Sequence, residues 1–301
     1  MRIALLAALL AVSMPPDALH LKAEAASVTG SVGLQPEASQ AAALGRLREE
    51  TVQSAALGKA MPYRVLLPEG YESSLQRYPV LYLLHGLGGS YTDWTTRSNV
   101  AEYSRTLPLI IVMPDAGNQW YTNAADGGAR FEDYLTTDLP ADVVKKYRTV
   151  NSRYGRAIAG LSMGGYGALK LALKRPAAFA MVGSFSGAFG ATRAGELERL
   201  IGGVEAERMQ KIFGPAGSTT REENDVFTLA TALKPAAAPY VYIDCGIADN
   251  SLIAANREVV VALHKAGVAY EYHEVGGAHT WDYWDRRIRE FLPILVKRMS
   301  N

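Results

Sequence analysis

The sequence predicts an α/β fold: a mostly parallel central sheet with helices on both faces and a short helical insertion. Three observations carry this expectation. Short, nearly continuous apolar runs recur along the chain, as strands buried on both faces require. Stretches of helical periodicity alternate with them, and a glycine-flanked serine stands where one run meets the helix that follows.

Taken in order, the chain begins with Arg2 and an apolar run from Ile3 to Val12, followed by a polar stretch and Ala23-Glu24-Ala25-Ala26. This is the pattern of an export signal over residues 1–25 with a small-x-small cleavage site, so a secreted or periplasmic protein is expected. The run is too short to span a bilayer, and no later segment reaches the roughly 18 apolar residues that a membrane helix needs. Residues 26–50, rich in Ala, Ser, Gly and Gln without a period, read as a linker or disordered segment. The catalytic domain is expected over 51–301. Strands are predicted at Tyr63–Leu67, Val80–Leu84, Leu109–Met113, Arg156–Leu161, Met181–Phe185, Tyr240–Asp244 and Ala269–Glu274. Helices are predicted at Phe131–Lys146, Gly165–Arg175, Asn250–Ala266 and Trp281–Lys297, with Pro176 and Gly267 as stop signals. Residues 187–234 interrupt the alternation with short charged pieces such as Glu196–Leu200 and Ala206–Phe213, which read as a cap-like insertion.

At 301 residues, 49% of them hydrophobic and 20% charged, the chain suits one domain with a sizeable core. A formal net charge of +1 leaves no electrostatic footprint for nucleic acid or an acidic membrane, so a neutral or modestly charged small molecule or carbohydrate is the expected partner. The single cysteine, Cys245, excludes an intramolecular disulfide. No cluster of His, Cys and carboxylates has ligand spacing, so neither a metal nor a cofactor is expected.

Gly160-Leu161-Ser162-Met163-Gly164 follows the apolar Ala157-Ile158-Ala159 and precedes a helix. A serine on so sharp a turn is lifted above the sheet, and the glycines are needed because side chains there would collide with strand and helix. That is the nucleophile elbow of the α/β-hydrolase fold. The Met163 N–H then stands at a helix start, where unpaired donors favour developing negative charge.

A serine hydroxyl needs a base. His20 lies in the export segment, His264 in a helical pattern and His273 in an alternating strand, whereas His85 precedes the nucleophile against the chain order of this fold. His279, after Gly276-Gly277-Ala278 beyond the last strand, remains as the base. The orienting acid belongs between Ser162 and His279. Asp249, in a loop after the strand Tyr240–Asp244, suits the task, and Asp244 at the strand end is its rival. His85-Gly86-Leu87-Gly88-Gly89 closes the second strand, where the fold supplies its other oxyanion donor, here the Leu87 N–H. Trp94, Trp120, Tyr121 and Trp284 are candidates for pocket walls, with Trp120 and Tyr121 carried forward as substrate-binding residues.

Together, His85 to Ser90 with Asp93-Trp94, Met113-Pro114-Asp115, Trp120-Tyr121, Gly160 to Gly165 and Gly277-Ala278-His279 with Trp281 and Trp284 resemble the esterase D family. That family includes feruloyl and acetyl-xylan esterases, S-formylglutathione hydrolases and the mycolyltransferases of the antigen 85 type. The resemblance runs from about Thr51 to the C-terminus. It implies Ser162, Asp249 and His279 as triad, since the family's acid lies in a Cys-Gly-x-x-Asp segment matched by Cys245 to Asp249, and it implies donors at Leu87 and Met163. The S-formylglutathione hydrolases usually carry Thr-Cys-Thr where this chain has Gly88-Gly89-Ser90, and the mycolyltransferases usually lack a histidine at the place of His85. A secreted serine esterase of short-chain or aromatic carbohydrate-type esters is therefore expected. Acyl transfer to sugar hydroxyls, a thioesterase and an inert binding protein are the alternatives.

Overall fold

The computed structural model describes residues 45–193 and 203–299. The expected export segment, the expected linker as far as residue 44 and the helical piece at Glu196–Leu200 lie outside the described residues.

Eight strands form one sheet: β1 (Leu47–Ser54), β2 (Lys59–Leu66), β3 (Val80–Leu84), β4 (Ile110–Pro114), β5 (Arg156–Leu161), β6 (Met181–Phe185), β7 (Tyr240–Gly246) and β8 (Tyr270–Val275). Their order is β1-β2-β4-β3-β5-β6-β7-β8. The pairs β1/β2 and β2/β4 are antiparallel, and every later pair is parallel. Strand β1 corrects the sequence reading, which began the domain at Thr51 and left residues up to 50 in a linker. Arg48, Glu49 and Glu50 hid it: it is an edge strand in which only Val52 and Ser54 are buried, and its charged residues break the apolar alternation.

The helices are α1 (Asp93–Arg97), α2 (Val100–Tyr103), α3 (Leu139–Lys146), α4 (Met163–Lys174), α5 (Gly203–Phe213), α6 (Thr219–Glu223), α7 (Val226–Ala232), α8 (Ile253–Lys265) and α9 (Trp281–Met299). The helix expected over Phe131–Lys146 is broken into a short turn at Phe131–Asp133, a π-helical turn at Tyr134–Asp138 and then α3. Pro140, which has no N–H to return to the preceding turn, stands in the first turn of α3, where that missing donor costs least. Helices α5, α6 and α7 fall between β6 and β7. One face of the sheet packs against α3, α4, α7 and α8, and the other against α1, α2 and α9. No helix among the described residues is long and apolar enough to cross a membrane.

The chain order of the strands reverses between β3 and β5, so the loops leaving their carboxyl ends diverge and open a crevice. The loops after β7 and β8 arrive at the same edge.

Candidate active site

Ser162 joins β5 to α4 with φ 54° and ψ −118°, a conformation that costs a non-glycine residue about 1–3 kcal/mol. The surroundings hold it there. Its N–H donates to the Phe185 carbonyl at 2.9 Å, and its carbonyl accepts from Tyr166 at 3.0 Å and Ala188 at 3.1 Å. Both elbow glycines are steric necessities: a Cβ on Gly160 would lie 2.5 Å from the Gly164 backbone, and one on Gly164 would lie 2.5 Å from the His85 carbonyl oxygen.

His279 Nε2 lies 3.0 Å from Ser162 Oγ, and its Nδ1 lies 2.7 Å from Asp249 Oδ2. The second Asp249 oxygen accepts from Ser251 Oγ at 3.1 Å. The Asp249 side chain is 1% exposed and that of His279 36%, so the carboxylate is shielded while the imidazole faces the cavity. Burial alone would raise the Asp249 carboxyl, but the hydrogen bond and charge of His279 and the Ser251 hydroxyl outweigh it and hold the group below its ordinary value. It is therefore a carboxylate, able to stabilise an imidazolium.

The rival Asp244 lies elsewhere. Fully buried, it accepts from Arg287 Nε at 2.9 Å and Tyr283 Oη at 2.9 Å. Burial pushes its carboxyl up to about 6, with Arg287 opposing. It fastens α9 to β7 and makes no hydrogen bond to His279.

The turn after β3 is gripped from several sides. His85 Nδ1–H donates to the Gly86 carbonyl at 2.8 Å, and His85 Nε2 accepts from the Ala116 N–H at 3.1 Å. Burial keeps this ring below its ordinary pKa, consistent with the neutral tautomer that both bonds require. Asn118 Oδ1 accepts from the Gly88 N–H at 2.7 Å. Among the described residues neither the Leu87 N–H nor the Met163 N–H donates to any acceptor, so both remain available to a ligand.

The aromatic residues divide by role. Trp94 Nε1 donates to the Leu84 carbonyl at 3.0 Å, and Tyr121 Oη donates to the His85 carbonyl at 2.7 Å. Tyr121, expected to bind substrate, is wholly buried and outside the cavity lining: its hydroxyl is committed to the turn, and its ring packs on Gly167. Trp120 does reach the cavity, although its ring is mostly enclosed by Tyr166 and Phe213.

A cavity of about 560 Å³ opens over Ser162 and His279, lined further by Leu87, Trp120, Ala188, Leu252, Trp281 and Trp284. The sequence reading did not place Ala188, Leu252 or Trp281 in this wall. Position held a signal, since Leu252 and Trp281 follow Asp249 and His279 by three and two residues, where the loops that deliver them run into α8 and α9.

The family model Esterase, described as "Putative esterase", matches residues 54–295. Acetyl esterase of Caldicellulosiruptor saccharolyticus is 28% identical over 212 residues, covering 69% of this chain and 79% of that protein. An esterase of Mycobacterium tuberculosis is 32% identical over 240 residues, 72% of this chain, and the chain spans only 52% of its length. Among solved structures, a fluorophosphonate-binding serine hydrolase of Staphylococcus aureus superposes with a TM-score of 0.74 at 27% identity, over 83% of this chain and 98% of that one.

Proposed function

The chain belongs to the Esterase family and is a serine esterase, and from that premise we propose that it hydrolyses short-chain or aromatic carboxylic esters through an acyl-enzyme on Ser162. The observation that carries this reading is the unbroken line from Ser162 Oγ through His279 to Asp249, at 3.0 and 2.7 Å, on the floor of a cavity with two uncommitted N–H donors.

His279 Nε2 takes the Ser162 proton as Oγ bonds to the ester carbonyl carbon. The carbonyl oxygen, now anionic, turns toward the Leu87 and Met163 N–H groups. As the carbon–alcohol bond breaks, His279 returns the proton to the departing alcohol oxygen. Water then repeats the sequence and frees the acid. The Asp249 carboxylate keeps Nδ1 protonated and stabilises the imidazolium.

A cavity of this volume has room for acyl groups from acetyl to feruloyl. The family's feruloyl members and the acetyl esterase relative support that range. Exposure of His279 gives water access to the acyl-enzyme and favours hydrolysis over transfer. The pattern of an export signal over residues 1–25 supports action outside the cytoplasm.

The test is turnover of p-nitrophenyl acetate, butyrate and octanoate and of methyl ferulate, with and without added sugar acceptors. Hydrolysis of the acetate or the ferulate faster than the octanoate, with free acid as the product, is expected. New sugar esters would replace the hydrolase reading with a transferase.

A further inference from the structure

Lys170 lies on α4 two turns beyond Ser162, wholly buried, and the mechanism above does not use it. A buried ammonium is costly where an apolar side chain would fill the space, so its contacts must account for it. It donates to the Tyr121 carbonyl, to Thr122 Oγ1 at 3.1 Å and to Glu132 Oε2 at 3.0 Å. Lys174 shares that Glu132 oxygen at 3.1 Å, and Arg175 stands 3.6 Å from the other.

Two of the three bonds reach a strained segment. Trp120 and Tyr121 are consecutive left-handed residues, with φ 52° and 55°, and neither is glycine. The Tyr121 hydroxyl in turn donates to the His85 carbonyl, two residues before the Leu87 N–H. Helix α4 is shaped to meet this segment. A Cβ on Gly167 would lie 2.4 Å from the Tyr121 ring, and one on Gly164 would lie 2.5 Å from the His85 carbonyl oxygen. Residues 164, 167 and 170, each three apart, thus carry the contacts of α4 with the turn after β3, through Gly164, and with the segment after β4, through Gly167 and Lys170.

Resting on the serine-esterase reading, we infer that Lys170 is a positioning residue: through Tyr121 it fixes the Leu87 N–H relative to Ser162, which stands at the N-terminal end of α4. Serine and donor then keep one geometry because both are referred to α4.

The experiment uses the full chain as wild type, Lys170→Met, Tyr121→Phe and the double variant. Each is titrated to completion with a fluorophosphonate so that turnover is counted per reactive serine. Absence of labelling in wild type would sink the serine reading itself and is thereby separated from failure of the positioning claim. With labelling, each single variant is expected to lose about tenfold or more in kcat on p-nitrophenyl acetate while KM moves little, as loss of oxyanion alignment requires. The double variant should be no worse than the poorer single variant, because both substitutions cut the same chain of contacts. Titrated Lys170→Met with wild-type kcat, or a double loss equal to the product of the single losses, would overturn the proposal. Should Lys170→Met fail to fold, Tyr121→Phe decides alone, since it removes only the hydroxyl bond to His85, and unchanged kcat there contradicts the claim.

Discussion

Asp244 and Asp249 lie five residues apart at the end of β7, and the partners each one finds separate their roles. Asp249 holds His279, whereas Asp244 holds Arg287 and Tyr283. Asp249→Asn should therefore lower kcat by about 10⁴-fold with little change in melting temperature, as loss of the orienting carboxylate does in serine enzymes. Asp244→Asn should keep kcat per titrated serine and lower stability by about 1–3 kcal/mol, because it removes a buried charged partner of Arg287, whose guanidinium keeps Glu290 and the Tyr242 hydroxyl. Thermal melts with active-site titration check both, and the reverse pattern would exchange the two assignments. The pairing of Ser162 with His279 was expected from the sequence, because one sits in a sterically defined motif and the other was left once His264 and His273 had places in elements, His20 fell in the export segment and His85 stood against the chain order. Position alone could not choose between the aspartates, since both leave the same strand and only the path of the loop from Gly246 to Ser251 turns one of them toward the base. Tyr121 misled for a related reason. An aromatic ring near a site reads the same whether it faces the cavity or braces the backbone behind it.

At the scale of elements, contact between α4, β5 and the turn after β3 is closer than side chains allow. Gly164→Ala would push a methyl group to within 2.5 Å of the His85 oxygen and 2.7 Å of the Leu84 oxygen, both backbone atoms that cannot swing aside. A loss of about 1–3 kcal/mol or more is expected, with slower fluorophosphonate labelling as the turn shifts. Gly276→Ala, where a Cβ meets nothing within 4 Å, is the matched control and should melt like wild type. Comparable melting of the two variants would refute the steric account. The parallel strands were legible because burial on both faces makes them continuous apolar runs, as in Val80–Leu84. Strand β1 and the π-helical turn before α3 were not, since one is defined by its neighbour β2 and the other lies inside a stretch that reads as one helix from Phe131 to Lys146.

Over the whole molecule, the strand order gathers four loops at one sheet edge, and buried charge ties the helices beneath them. Burial by itself would raise the Glu132 carboxyl, but Lys170 and Lys174 hold it at about 2, while burial lowers Lys170 to about 8. A carboxyl depressed in the folded state adds stability above its ordinary pKa and loses it as pH falls toward the folded value. The Glu132 contribution should therefore be full above about pH 4.5 and fade toward pH 2. Melting temperatures of wild type and Glu132→Gln should lie far apart at pH 6, draw closer below about pH 4.5 and converge near pH 2; a constant gap would show that the ionised pair is not what stabilises this layer. Alternation of strands and helices made the architecture legible, but a network of Lys170, Glu132 and Tyr121 joins residues far apart in sequence, which no local pattern marks. The central claim remains that Ser162 performs the chemistry. Its most direct test is kcat/KM for p-nitrophenyl acetate in wild type and Ser162→Ala, purified in parallel and matched in melting temperature. The account expects a loss of at least about 10⁴-fold, and a variant within tenfold of wild type would contradict it.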